Sequence, residues 1–226
     1  MGRPPGWPVL CLALAACGIH PAHDGRTILA VGDSVMAWNG GRGIPETTAA
    51  ALDRPVRDRA RSLARIEQPN PVAARLGFDI ARQWSANRGP WSWVILTGGA
   101  NDLRPHCGTA TAGAALDRLI GPDGRGALPD LVADMRAAGA RVAYVGYYDG
   151  AEGDPTGFTP CQPLFDVLND RMARLAAADA GMVVLDAGTV IDPGDPGDYA
   201  SDRVHPSAAG AARIGARLAK AIRAAE

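Results

Sequence analysis

The chain has 226 residues, 47% of them hydrophobic, and 23 Lys and Arg stand against 24 Asp and Glu for a formal net charge of −1. That length and apolar content fill one core and fit a single folded domain. The near-neutral balance, with basic residues scattered along the chain, gives no electrostatic reason to expect nucleic acid as a partner.

The N-terminus carries one positive charge, Arg3, and then the apolar run Val9–Ala16, too short to span a bilayer, so residues 1–16 are expected to be an export signal. The sequence Leu14-Ala-Ala-Cys17-Gly18 resembles the lipobox of bacterial lipoproteins. That resemblance implies cleavage before Cys17 and acylation of its amino-terminal cysteine; an ordinary signal cut near Ala16 or Ala22 is the alternative. Residues 17–26, with Pro and Gly and no periodicity, are expected to tether the anchor to a domain over 27–226. The expected location is the bacterial cell envelope, lipid-anchored and facing the periplasm or exterior. His20, His23 and Asp24 sit in the tether and supply too few fixed ligands for a metal. With Cys11 removed and Cys17 acylated, Cys107 and Cys161 remain, an even pair in an exported chain, and a disulfide between them is expected.

Five short apolar or β-branched runs predict strands over Thr27–Val31, Pro55–Arg59, Trp93–Thr97, Arg141–Gly146 and Met182–Leu185. Helical patterns fall over Pro45–Leu52, Pro71–Trp84, Ala110–Ala138, Leu164–Ala178 and Ser207–Ala225. Strand and helix alternate five times, which predicts an α/β fold with a parallel sheet covered on both faces by right-handed crossovers. Ligands of such sheets bind beyond the carboxyl ends of the strands, so the loops after the strands are where chemistry is expected.

Three of those loops carry suitable side chains. After the first strand comes Gly32-Asp33-Ser34, where a strand turns into a helix; Ser34 is a candidate nucleophile among free helix N–H groups, or either residue is simply an N-cap. After the third comes Gly98-Gly-Ala-Asn101-Asp102, where Asn101 is a candidate oxyanion donor or part of an Asx turn. After the fifth strand and a Pro/Gly loop, Asp202 stands three residues before His205, as an orienting carboxylate and a base would.

Taken together, Gly32-Asp33-Ser34-Val35, Gly99-Ala-Asn101-Asp102 and Asp202-Arg-Val-His205-Pro206 resemble three sequence blocks of the SGNH hydrolases, the GDSL esterase and lipase superfamily, in family order over most of the chain. The resemblance implies a three-layer α/β/α, flavodoxin-like fold with a five-stranded parallel sheet in the order 2-1-3-4-5, and serine esterase activity without a cofactor or metal. It makes Ser34 the nucleophile and an oxyanion N–H donor, Asn101 an oxyanion donor, His205 the base, Asp202 its orienter and Asp33 structural. The substrates it implies are small-molecule, lipid or acylated-glycan esters. One block departs from the pattern: no glycine follows the second strand, where Arg57–Arg65 stands, and Leu63, or failing that Ala60, aligns with the third oxyanion donor. If that position needs φ > 0, its side chain is strained. The departure motivates an alternative, a catalytically inactive, lipid-anchored binding protein.

Other residues weigh less. His106 follows Asn101 and is a rival base without an evident acid partner. Trp38, Tyr147 and Tyr148 are expected either as an apolar wall of the pocket or as core, and Trp84, Trp91 and Trp93 as packing residues. The Gly-x-Ser-x-Gly of an α/β-hydrolase is not met, because Met36 stands where the second glycine belongs. A nucleotide-binding module is disfavoured by the acid in Gly32-Asp33-Ser34.

Overall fold

The computed structural model describes residues 25–226; the expected signal segment, Cys17, His20 and His23 lie outside the described residues. Five parallel strands, β1 (Ile28–Val31), β2 (Val56–Asp58), β3 (Trp93–Leu96), β4 (Arg141–Val145) and β5 (Met182–Leu185), form one sheet in the order β2-β1-β3-β4-β5. The registers pair Ile28 with both Val56 and Trp93, Trp93 with Arg141, and Val142 with Met182. Every residue of β1 and β3 is buried, as a strand covered on both faces requires, which is why both read as unbroken apolar runs.

The helices follow from the crossover rule. The step from β1 to β2 runs opposite in direction to the three later steps, so right-handed connections place α2 (Ile44–Leu52) on one face. The later connections lie on the other face: α3 (Pro71–Ala73) and α4 (Ile80–Ser85), then α6 (Ala112–Leu119) and α7 (Ala127–Ala137), then α8 (Gln162–Ala177). The last helix, α9 (Ala208–Ala224), packs beside α2, burying Ile214, Leu218 and Ile222 at a spacing of four residues along one face. Two short helices, α1 (Ser34–Ala37) and α5 (Ala100–Leu103), begin at the candidate site loops. This is the three-layer α/β/α sheet order implied by the sequence resemblance.

Two predicted helices are broken. The pattern over Pro71–Trp84 is interrupted at Gly77, whose φ of 91° leaves the helical region, and Asp79 starts α4 afresh by accepting a hydrogen bond from the N–H of Arg82. The pattern over Ala110–Ala138 divides at Gly121-Pro-Asp-Gly-Arg-Gly126, where proline lacks a helical donor and three glycines lower helix propensity. Strand β2 is two residues shorter than its pattern.

The Pro/Gly loop after β5 is wound on a fully buried carboxylate, Asp198, which accepts from the N–H of Asp192 at 2.9 Å and pairs with Arg213 of α9. Ser207 then caps α9 by accepting from the N–H of Gly210, and its own N–H donates to Asp198 O. The chain between these anchors therefore has a set path, and Asp202 and His205 lie on it.

Cys107 and Cys161 are joined in a disulfide that closes a loop 54 residues apart in sequence and ties the loop after β3 to the long loop after β4. Closing a loop of that length restricts the unfolded chain by about 4 kcal/mol. Replacing both cysteines by serine is therefore expected to lower the unfolding free energy in urea by about that amount, and an unchanged midpoint would contradict a constraint on the unfolded state.

Candidate active site

The first loop is fastened before it presents Ser34. A Cβ on Gly32 would lie 2.8 Å from the Thr97 side chain and 2.9 Å from Thr97 O, so only glycine lets this loop press on the end of β3. The N–H of Gly32 donates to buried Gln83 at 2.7 Å, and the Gln83 amide donates back to Gly32 O at 3.0 Å. Asp33 caps α1 by accepting from the N–H of Val35 at 3.0 Å, which sets Ser34 at the first helical position on the carboxyl edge.

In the last loop, His205 Nδ1 and Asp202 Oδ2 are 2.6 Å apart, while Asp202 Oδ1 accepts from the N–H groups of Val204 and His205 at 3.1 and 3.0 Å. Partial burial opposes ionisation of Asp202, but the bonds from the imidazole and the two N–H groups outweigh it and hold the carboxyl below the usual carboxylate range. An ionised Asp202 makes Nδ1 the protonated nitrogen, so Nε2 is the basic one; it is buried and has no hydrogen-bond partner among the described residues. The Tyr148 hydroxyl donates to Val204 O at 2.9 Å and Asn39 Nδ2 to Pro206 O at 3.0 Å, bracing the loop on both sides of the imidazole. Trp38, expected as pocket wall or core, stacks flat on His205 instead, with centroids 3.9 Å apart and planes 9° from parallel.

The third element is a clamp between two loops. Asn101 is buried, and its Nδ2 donates to Ala64 O at 3.0 Å, which leaves its second amide N–H without a partner among the described residues. Its neighbour Asp102 accepts from the N–H groups of Ile66 and Glu67 at 3.0 and 2.9 Å. Both hold the loop after β2, where the N–H of Ala64 donates to Arg61 O and Leu63 occupies the intervening corner with φ 67°. This is the left-handed conformation that glycine takes without strain, at a steric cost for leucine of roughly 1–2 kcal/mol. The Leu63 side chain points outward, 62% exposed. The alternative donor, Ala60, already spends its N–H on Asp58 Oδ1 at 2.8 Å, whereas the N–H of Leu63 makes no hydrogen bond among the described residues.

Ser34, Asn101 and His205 line one pocket of about 40 Å³, walled by Tyr147, Tyr148 and Phe165. Asp202 stands behind His205 rather than in the pocket, and Leu63 lines an adjoining depression that shares Asn101 with it. His106 is not brought to this pocket; its Nδ1 pairs with Thr111 at 2.8 Å. Trp84, Trp91 and Trp93 are buried in the core. Among the described residues, no three His, Cys, Asp or Glu side chains are grouped to hold a metal.

One residue does more than its place in the sequence implies. The Tyr147 hydroxyl donates to Asp33 Oδ2 at 2.6 Å and accepts from the N–H of Ala100 at 3.0 Å, linking the loops after β1, β3 and β4. Burial raises the Asp33 carboxyl and the Tyr147 hydroxyl above their ordinary ranges; the Tyr147 hydrogen bond draws Asp33 part of the way back. The one sequence signal for this was a tyrosine soon after a strand.

Residues 30–213 match a family described as GDSL-like Lipase/Acylhydrolase. No curated protein sequence matches. Among solved structures, a carbohydrate acetylesterase from Sinorhizobium meliloti is similar at 18% identity, over 88% of this chain and 99% of that one, with TM-score 0.65. The aryl esterase of M. smegmatis is similar at 20% identity over 89% and 100%, TM-score 0.61. A catalytic mutant of an acetylxylan esterase from Geobacillus stearothermophilus is similar at 20% over 88% and 94%, TM-score 0.58. At these identities the likeness is one of fold.

Replacing Tyr147 by phenylalanine keeps the ring against Phe165 but strands the N–H of Ala100 and removes a partner of Asp33. The variant is expected to lose about 1–3 kcal/mol of stability in urea unfolding. Wild-type stability would contradict the linking role.

Proposed function

The chain belongs to the GDSL-like lipase/acylhydrolase family and is an ester-bond hydrolase; on that premise we propose that it hydrolyses short-chain carboxylic esters through an acyl-enzyme on Ser34. The observation that carries this reading is the His205 imidazole, oriented by Asp202 through Nδ1 with its free Nε2 buried, in a pocket shared with Ser34 and Asn101.

In this mechanism Nε2 of His205 takes the Ser34 hydroxyl proton as Oγ attacks the ester carbonyl, and Asp202 stabilises the imidazolium without accepting the proton. The carbonyl oxygen becomes an oxyanion, held by the N–H of Ser34, the N–H of Leu63 and the free N–H of the Asn101 amide. Collapse of the tetrahedral intermediate breaks the bond to the alcohol oxygen, which leaves with the proton from His205. Water then gives its proton to His205, attacks the acyl-enzyme, and the acid departs as Ser34 Oγ regains the proton.

The pocket lining supports a short acyl group. The rings of Tyr147, Tyr148 and Phe165 beside Ser34 offer apolar contact to a small acyl substituent. Two of the similar folds act on acetylated carbohydrate by their descriptions, which makes acetylated glycans reasonable substrates to try. We further propose an exported, lipid-anchored protein, with a signal over 1–16, acylation at Cys17 and a tether over 17–26. The pairing of Cys107 with Cys161 supports an oxidising compartment. The rival, a catalytically inactive binding protein, rests on Leu63 in the place of glycine.

A panel of nitrophenyl esters from acetyl to long acyl chains separates these readings. The expected result is turnover that is fastest for acetyl, abolished by Ser34→Ala and His205→Ala, and lowered about 100-fold or more by Asn101→Ala. Leu63→Gly keeps the backbone donor and is expected to retain activity. Ser34→Ala matching the wild type would overturn the mechanism.

A further inference from the structure

The loop after β2 and the α3–α4 segment lie side by side: the N–H of Arg65 donates to Phe78 O, the N–H of Ile80 donates to Arg65 O, and the Arg61 guanidinium sits 5.5 Å from the centre of the Phe78 ring. Arginines read as scattered in the sequence converge there. Arg59, Arg61, Arg75 and Arg82 surround one depression, and Arg65 lines the next. None of these five makes an ion pair among the described residues. Between residues 59 and 82 the only carboxylates are Glu67, drawn toward Arg118 at 3.8 Å, and Asp79, which caps α4. This strongly basic face belongs to a chain of formal net charge −1.

The segments that line these depressions also carry apolar side chains in solvent. Leu63, Val72 and Leu76 are 62%, 63% and 59% exposed, three of the four large hydrophobic residues that stand most exposed among the described residues. Val72 and Leu76 are four apart across the helical turns after Pro71, and Leu63 and Ala73 line one depression. Exposed aliphatic residues interleaved with arginines match what an anionic bilayer surface binds: guanidinium groups pair with phosphate, and alkyl groups enter the interface.

We propose that this face, built by Arg59, Arg61, Arg75 and Arg82 around Leu63, Val72 and Leu76, seats on anionic phospholipid. The seating does not depend on the esterase reading. It sets the depression that Leu63 and Asn101 both line toward the bilayer.

The test is co-sedimentation of the full chain, carrying Cys17→Ala so that no acyl group anchors it, with phosphatidylcholine vesicles that contain or lack phosphatidylglycerol. The expected result is binding that requires phosphatidylglycerol and weakens in high salt. It is expected to fall about fivefold for each of Arg59→Gln and Arg75→Gln, and further with Val72→Ser and Leu76→Ser. All four positions are exposed, so circular dichroism and turnover of a soluble ester should be unchanged in these variants. Equal binding to both vesicle types, or arginine variants that bind like wild type, would overturn the proposal. So would a solution dimer dispersed by Val72→Ser and Leu76→Ser, which would assign the face to a second copy of the chain.

Discussion

The hydrogen bond from Tyr147 to Asp33, 2.6 Å long and wholly buried, is the constraint on which the arrangement of the site rests. A carboxyl group taken out of water is unfavourable unless its oxygens are satisfied, and each Asp33 oxygen has a partner: Tyr147 on one and the N–H of Val35 on the other. Tyr147 is itself held rigidly, because Asn169 accepts from its N–H at 3.0 Å and donates to its carbonyl at 2.8 Å. Through these bonds the start of α1, the start of α5 and the end of β4 share one frame. In a low-dielectric interior such a network is strong when complete and costly when broken. Ser34 follows Asp33 directly, so the proposed nucleophile inherits its position from that frame.

A second clamp compensates for an unfavourable backbone. Leu63 holds a left-handed conformation, and the loop around it is fixed by Asn101 on Ala64 and by Asp102 on Ile66 and Glu67. Asp102 does this at some expense, since burial raises its carboxyl to about 6, against the bonds from Glu67 and Ile66. The folded chain then holds that proton more tightly than the unfolded chain. Its contribution to stability is therefore greatest below the ordinary value of 3.8 and declines as pH rises through about 6. At neutral pH the ionised carboxylate is desolvated, and its two N–H donors offset that. The proposed oxyanion hole thus takes its geometry from side chains of one loop gripping the backbone of another.

Much of this was legible in the sequence, for identifiable reasons. The strands of a doubly covered sheet are short apolar runs, and Ile28–Val31, Trp93–Leu96 and Met182–Leu185 stand out as such. Ser34, Asn101 and His205 follow strands in blocks whose spacing is local, so loops built separately could be recognised one by one. The rest depends on contacts between residues far apart in the chain. Helical periodicity continued across Gly77 and across Gly121–Gly126, where backbone conformation overrides side-chain pattern. The Trp38 stack on His205 spans the whole domain, and nothing near Trp38 announces it. Tyr147 read as wall or core because its hydroxyl partners, Asp33 and Ala100, lie on other strands' loops. The basic, apolar face is not legible in the sequence because Arg59, Arg61 and Leu63 lie on a different segment from Val72, Arg75 and Leu76, and the two segments come together only when Arg65 and Phe78 are paired.

The chemistry proposed for this site turns on Ser34 as a nucleophile activated by the Asp202–His205 pair. The measurement that tests it most directly is labelling with a fluorophosphonate, followed by peptide mass analysis, for the wild type and His205→Ala. One adduct per chain is expected on the peptide containing Ser34, with labelling largely lost in the His205 variant. A wild-type chain left unlabelled at Ser34, or modified at another residue instead, would contradict it.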